Sequence, residues 1–254
     1  ATILIDLSMK KFITYFDFLG FKNFILNNNS DYIRRRIGHI LRDIELAIGQ
    51  GKTTRTNYGV VANISNSKIN CLNISDTVIF WTKDASYESF NELLKISFDF
   101  NWSVTCYHFP VRGAIVFDEI EIISGYQETE NGGTYNVNSV FGKGLVKAHL
   151  KADNLNIASC VIDYSVIEKI QEFGDLKEII GDYGVEYNVP YKNGEIMNPE
   201  FVLKFFINRS INEEAFLNRS KGIADAFKGD KKGMNKRAEE MLDNTIEFLG
   251  LLKE

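Results

Sequence analysis

From residue 10 to 16 the chain alternates aromatic and β-branched side chains, a pattern that predicts a strand running into the turn Asp17-Phe18-Leu19-Gly20-Phe21. Past Phe21 the spacing becomes helical. After a polar break at Asn27, Asn28, Asn29 and Ser30 it resumes with Ile33, Ile37, Ile40, Leu41, Ile44 and Ile48, and Ser30 is the expected cap. A polar, glycine-bearing stretch (49–67) precedes two apolar runs, 69–74 and 78–81, that flank Ser75-Asp76-Thr77 as a hairpin. Tyr87, Phe90, Leu94 and Phe98 mark an amphipathic helix, 111–117 a strand, and 119–123 its partner strand. Residues 126–139 read as a flexible loop, 144–151 as a helix, 156–162 and 183–189 as strands. From Pro199 onward the pattern is mostly helical, with Met241, Leu242, Ile246, Leu249 and Leu252 on one face. The expected organisation is therefore a catalytic domain over 1–198 and a helical extension over 199–254.

Composition narrows the class. With 254 residues, 44% hydrophobic and 25% charged, the chain can bury a full core. No apolar run approaches the length of a membrane span, and the first residues lack the sections of a secretory signal, which predicts a cytoplasmic protein with no membrane partner. A net charge of −5 argues against direct nucleic-acid coating, which depends on phosphate neutralisation. Cys71, Cys106 and Cys160 lack metal-ligand spacing and are expected to be buried free thiols.

The candidate chemistry lies in two aspartates. Asp17 closes the first strand and Asp76 sits at the hairpin tip; if those strands are neighbours, both carboxylates lie at one sheet edge. Magnesium or manganese bound to a triphosphate takes hard oxygen ligands of this kind, with phosphate oxygens and water completing the shell. Gly20 permits a close bend, and the amides of Leu19, Gly20 and Phe21 are expected to face outward as a phosphate cradle. Taken singly, each aspartate is also an ordinary helix-start or turn residue; their joint strand context points to the site.

Asp17-Phe18-Leu19-Gly20-Phe21 resembles the first metal motif, Asp-Ile-x-Gly-Phe, of the class III nucleotidyl cyclases, and Ser75-Asp76 is similar to that family's second metal aspartate in a hairpin turn. Val111-Arg112-Gly113-Ala114-Ile115 resembles its Arg-x-Gly-Ile strand, and the segment from Phe141 to Ala148 its Gly-x-x-Val-Asn-x-Ala-x-Arg helix. The likeness covers about residues 10–190, and the C-terminal helices lie outside it. It implies an α+β fold with a ferredoxin-like or palm-like antiparallel-dominated sheet. It also implies two divalent cations (Mn²⁺ or Mg²⁺) on Asp17 and Asp76 with the Phe18 carbonyl on one of them, and a homodimer with interfacial sites.

Where purine cyclases keep a transition-state Asn and Arg, this chain has Val146 and Leu150; where they keep an adenine-reading Lys it has Leu72, and Ser139 falls on the other base-reading position. That combination is similar to the Pycsar pyrimidine cyclases, a bacterial antiphage branch, which implies UTP, with CTP second, as substrate, cyclic UMP as messenger and a separate cyclic-nucleotide-sensing effector. Arg112, Lys143 and Lys147 are then the candidates for meeting transition-state charge. A purine cyclase and a catalytically silent nucleotide sensor remain the alternatives. Gly51-Lys52-Thr53 is no P-loop, since Leu46 stands where its leading glycine belongs. His39, His108 and His149 show no ligand spacing, and 228–236 reads as a solvated lysine-rich loop.

Overall fold

The computed structural model describes residues 4–57, 59–194, 199–207 and 210–253, and side chains from residue 9 onward. In chain order the elements are β1 (Leu4–Phe18), α1 (Phe21–Asn27), α2 (Ser30–Gly49), β2 (Thr53–Thr56), β3 (Gly59–Ala62), β4 (Ile69–Ile74), β5 (Thr77–Thr82) and α3 (Tyr87–Tyr107). Then come β6 (Val111–Glu128), β7 (Thr134–Phe141), α4 (Lys143–Asn154), β8 (Cys160–Ile162), α5 (Tyr164–Ile170), α6 (Leu176–Ile180), β9 (Gly184–Tyr187), β10 (Glu200–Leu203), α7 (Glu213–Lys228) and α8 (Lys236–Gly250). The main sheet runs β4-β5-β1-β6-β8-β10-β9, with β7 paired to the far half of β6. All its pairings are antiparallel except β6 with β8.

Burial on both faces explains the dense apolar run of β1. Phe12, Phe16 and Phe18 point to one core, shared with Phe90, Leu93 and Phe100 of α3 and Ile40 and Ile44 of α2. Ile13 and Tyr15 point to the other, with Ala148 and Ala152 of α4 and, from the C-terminal helices, Phe227, Met241 and Phe248. A strand covered on both faces carries apolar residues at both alternating sets. At the buried crossing of β1 and α3, Thr14 meets Ser97 through a 2.8 Å hydroxyl pair.

Several expectations are corrected. Residues 111–123 are not a hairpin: β6 is one strand from Val111 to Glu128, because Asp118, expected at a turn, stays in register opposite Lys11. Most of the loop expected over 126–139 is strand, the end of β6 and most of β7, since alternate polar residues suit a two-stranded ribbon open to solvent on both sides. The polar stretch 49–67 contains the β2–β3 hairpin. The cap of α2 is Asn29, whose side chain accepts from the Tyr32 amide, and not Ser30.

The segment expected to be a helical extension also contributes a strand. Residue 198 lies outside the described residues, but β10, just beyond it, is inserted in the main sheet between β8 and β9, so the segment from 199 is not purely helical. Ala158 donates its amide to the buried Thr245 hydroxyl of α8 at 2.9 Å, and Phe248 packs at a tilt against Tyr187 and edge-on against Phe205. No helix among the described residues is long and apolar enough to cross a membrane.

The turn after β1 is held on every side. The Phe18 amide donates to the Asp76 carbonyl at 2.8 Å and the Leu19 amide to the Pro110 carbonyl at 2.9 Å. Gly20 has φ 76°, and a Cβ there would lie 2.8 Å from Cβ of Lys232, which packs directly on it.

Two predictions follow from this packing. Phe205, Ile223, Phe248 and Leu249 are completely buried; at about 1.5–3 kcal/mol each, they rival the about 5–15 kcal/mol net stability of a whole domain. A chain ending at residue 198 is therefore expected to lose cooperative thermal unfolding by circular dichroism, and a sharp native-like transition would show the C-terminal segment to be dispensable. Gly20→Ala is expected to cost more than the about 1–2 kcal/mol of a left-handed alanine. Gly51→Ala, at φ 75° with open space around it, should cost only that amount, and urea titration of the two measures the difference.

Candidate functional site

The β1–β5 register sets Asp17 opposite Thr77, so Asp76 is adjacent to the end of β1, and the β1–β6 register sets Asp17 opposite Arg112. The two aspartates, remote in sequence, are thus neighbours at one edge of the sheet. Burial pushes the Asp17 carboxyl above its ordinary range; Arg112 opposes that shift, and the nearby like charge of Asp76 adds to it.

Arg112 is the cation that Asp17 holds. Its Nε donates to Asp17 Oδ2 at 2.8 Å, and its Nη2 lies 2.6 Å from the same oxygen and 2.7 Å from Asp153 Oδ1. Nη1 donates to the Asp153 carbonyl at 2.8 Å, and Lys192 Nζ meets Asp153 Oδ1 at 3.1 Å. Asp17 and Arg112 are largely out of water, with side-chain exposures of 18% and 14%. Such a pair is held by geometry, because leaving either charge alone at that depth is costly.

Beside the aspartates, Tyr15 Oη lies 3.3 Å from Thr77 Oγ1 and 3.1 Å from His149 Nδ1. Burial raises the Tyr15 hydroxyl, and the charges of Asp17 and Asp76 add to that. On the outer side of the turn, Lys232 is only 2% exposed, which corrects the solvated loop expected over 228–236. Its Nζ lies 3.2 Å from Asp230 Oδ2 and 4.0 Å from the centre of the Phe109 ring. Burial lowers the Lys232 ammonium to about 8 against the pull of Asp230. The same carboxylate accepts from Tyr32 at 2.5 Å and from Arg36 at 2.8 Å, tying the α7–α8 loop to α2.

The predicted site residues divide into three groups. Asp17, Asp76, Phe18, Leu19, Gly20, Phe21 and Arg112 meet at the end of β1. Phe18 and Phe21 turn their rings into the core, and the Leu19 amide is spent on Pro110, so it does not face outward as expected. Lys143 and Lys147 lie elsewhere on α4. Lys143 stands roughly 15 Å up the helix from Asp153 at ~1.5 Å per residue and faces Glu119 at 3.4 Å. Lys147 is committed to Asp163 at 2.7 Å; burial alone would raise that carboxyl, but Lys147, Ser165 and Lys151 hold it at about 2.

Ser139 is exposed on β7 opposite Ile123, roughly 35 Å along β6 from Arg112 at ~3.3 Å per residue. Within one chain it does not reach the aspartates.

Sequence reasoning did not single out Asp153, Lys192 or Lys232, which assemble only through tertiary packing. For Tyr15 a signal exists, since an aromatic hydroxyl two residues before Asp17 shares its face of the strand, whereas His149 reaches the site only through the packing of α4 on β1. Among the described residues no group of three or more His, Cys, Asp or Glu side chains is placed to hold a metal ion.

No protein-family model matches the chain, and no match is found among curated proteins. Solved structures do match. The non-canonical dimeric guanylyl cyclase domain of the RhoGC fusion protein from the aquatic fungus Blastocladiella emersonii is 10% identical with a TM-score of 0.51, covering 78% of this chain and 98% of that one. A monomeric double mutant of that domain is 8% identical with a TM-score of 0.50, covering 80% and 98%. The guanylate cyclase domain of RhGC from Catenaria anguillulae, in complex with GTP, is 8% identical with a TM-score of 0.49, covering 78% and 98%. At such identities the likeness is one of fold: a mixed α+β chain with an antiparallel-dominated sheet, packed helices and further helices at its C-terminal end, matching the class III cyclase catalytic domains.

Proposed function

We propose that the chain is a metal-dependent nucleotidyl cyclase that converts UTP, and in second place CTP, to the 3′,5′-cyclic monophosphate and pyrophosphate. The observation that carries the reading is the strand register that sets Asp17 and Asp76 side by side next to the Gly20 turn. Divalent cations bound there would activate the ribose 3′-hydroxyl and neutralise charge at the α-phosphate. Asp17, Asp76 and the Phe18 carbonyl are the groups that would hold them. Arg112, pinned by Asp153 as well as Asp17, keeps a guanidinium beside the same spot when it leaves the Asp17 carboxylate, and can then face phosphate oxygens bidentately. Tyr15, Thr77 and His149 form a polar wall on the same face, placed to orient the sugar.

Pyrimidine preference is supported by Leu72 and Ser139 at the purine-reading positions, while Val146 and Leu150 stand where purine cyclases keep their transition-state Asn and Arg. Val146 and Leu150 are exposed on α4, at 58% and 62%, and neither side chain carries a hydrogen-bond donor. They form an apolar stripe one helical turn apart, which favours burial against a second copy. Ser139 reads a base only from that second copy, given its separation from Asp17 along β6. The messenger would act on a separate effector in antiphage defence. A second reading, a purine cyclase, draws on the guanylyl cyclase domains that share the fold. A third, a silent nucleotide sensor, is favoured by the Arg112 guanidinium on Asp17.

Incubation with each of the four ribonucleoside triphosphates and Mn²⁺, followed by mass identification of the cyclic product, is expected to give cyclic UMP above the others. A cyclic purine as main product selects the second reading, and tight binding without turnover the third. Asp17→Asn and Asp76→Asn are each expected to lower turnover by about a hundredfold or more, since charge at the α-phosphate accounts for several kcal/mol of barrier. If sites are composite, mixing Asp17→Asn with Ser139→Arg protein restores activity that neither has alone; additive residual rates would instead indicate complete sites within single chains.

A further inference from the structure

Beside the aspartate pair a cleft of about 250 Å³ opens between the turn that follows β1 and the α7–α8 segment. Gly20 lies on one side, Arg112, Asp153 and Lys192 on a second, and Lys232 and Arg237 close it from the C-terminal segment. The four cations Arg112, Lys192, Lys232 and Arg237 face a single carboxylate among the lining residues, Asp153, in a chain whose net charge is −5. Three of the four are fixed by carboxylates: Arg112 by Asp17 and Asp153, Lys192 by Asp153, and Lys232 by Asp230. Arg237, exposed in the first turn of α8, has no carboxylate partner among the described residues. Small-molecule pockets usually measure about 300–1,000 Å³, so this cleft is undersized for a whole nucleotide and suits its phosphate tail.

We infer that the cleft is a polyphosphate subsite, taking the terminal phosphates of the triphosphate and then the pyrophosphate product, with Arg237, unpaired with any carboxylate among the described residues, as the cation contributed by the first turn of α8. The identity of the ligand rests on the cyclase reading; the presence of a polyanion site does not. One guanidinium, that of Arg112, both touches Asp17 and lines the cleft, so a phosphate chain that starts at the aspartates needs to run only one side-chain length to enter it. The cations come from three separate parts of the chain, which gives the subsite its convergence. Charge near the leaving phosphates is thereby supplied in cis, in a chain whose α4 carries Val146 and Leu150 and whose Lys143 and Lys147 face Glu119 and Asp163.

Calorimetric titration with inorganic tripolyphosphate tests this on the intact chain. Arg237→Glu is expected to weaken binding by about tenfold or more, while Lys236→Glu, its 91%-exposed neighbour, changes it by less than about twofold. Circular dichroism confirms that both variants fold. Equal losses from the two substitutions, no loss from Arg237→Glu, or no binding by the native chain each overturn the inference. Turnover is scored separately. Cyclic product from the native chain with an unchanged KM in Arg237→Glu sinks the subsite and leaves the cyclase standing. Arg237-dependent tripolyphosphate binding without any cyclic product does the reverse.

Discussion

Asp17 is a carboxylate drawn most of the way out of water, and everything around it answers that one electrostatic demand. Arg112 supplies the counter-charge through two nitrogens, and the same guanidinium reaches Asp153 at the end of α4, so β1, β6 and α4 are joined at a single point. Two ions at that depth are stable only with several well-placed hydrogen bonds, which the Asp153 carbonyl and Lys192 help to provide. The result is a carboxylate that already holds a cation, the Arg112 guanidinium. On the proposed cyclase reading, a divalent ion at Asp17 would compete with that guanidinium and not with bulk water, so Arg112 and the metal would be alternative partners of one oxygen.

The rigidity behind that exchange comes from the sheet. Asp17 cannot slide relative to Asp76, because β1 is locked between β5 and β6 and its far face carries Phe12, Phe16 and Phe18 in a fully packed core. A one-residue slip would turn those rings to the opposite face and Asp17 into the core. The turn beyond it is equally constrained, since the Phe18 and Leu19 amides are used and Gly20 has Lys232 against it. Lys232 in turn is held by Asp230, which Tyr32 and Arg36 anchor to α2. A buried lysine therefore transmits the position of the C-terminal segment to the Gly20 turn that follows the aspartate.

How much of this was legible in the chain follows from which interactions are local. The strand before Asp17, the hairpin around Asp76 and the helix beginning at Tyr87 are set by periodicity and turn chemistry, and all three stand where the pattern placed them. Pairing of the two aspartates was conditional on their strands being neighbours, and the β1–β5 register satisfies that condition. The long β6 was misread because Asp118 interrupts the apolar run; it remains in the strand through its pairing with Lys11, a tertiary effect. The β7 ribbon has too little apolar content to announce itself. β10 is only four residues long and lies next to a proline, so a helical reading of the region beyond 199 passed over it. The lysines of α4 had correct helical spacing, but their partners Asp163 and Glu119 are brought there by β8 and β6.

The distribution of charge separates what one chain can do from what requires two. Metal-type ligands, Arg112 and the cation-lined cleft all belong to a single chain and gather within reach of the Gly20 turn. Ser139 does not, because β6 carries it away along a ribbon whose length no side chain can span. In the proposed cyclase, binding of the phosphates and recognition of the base would therefore have different structural origins. The first is built into the fold by ion pairs that also hold the C-terminal segment in place. The second needs the exposed Val146 and Leu150 stripe and the projecting ribbon to meet another surface. On the proposed reading, a substitution in the cleft should consequently act on a monomer and a dimer alike, whereas base selection would exist only once the apolar stripe on α4 is covered.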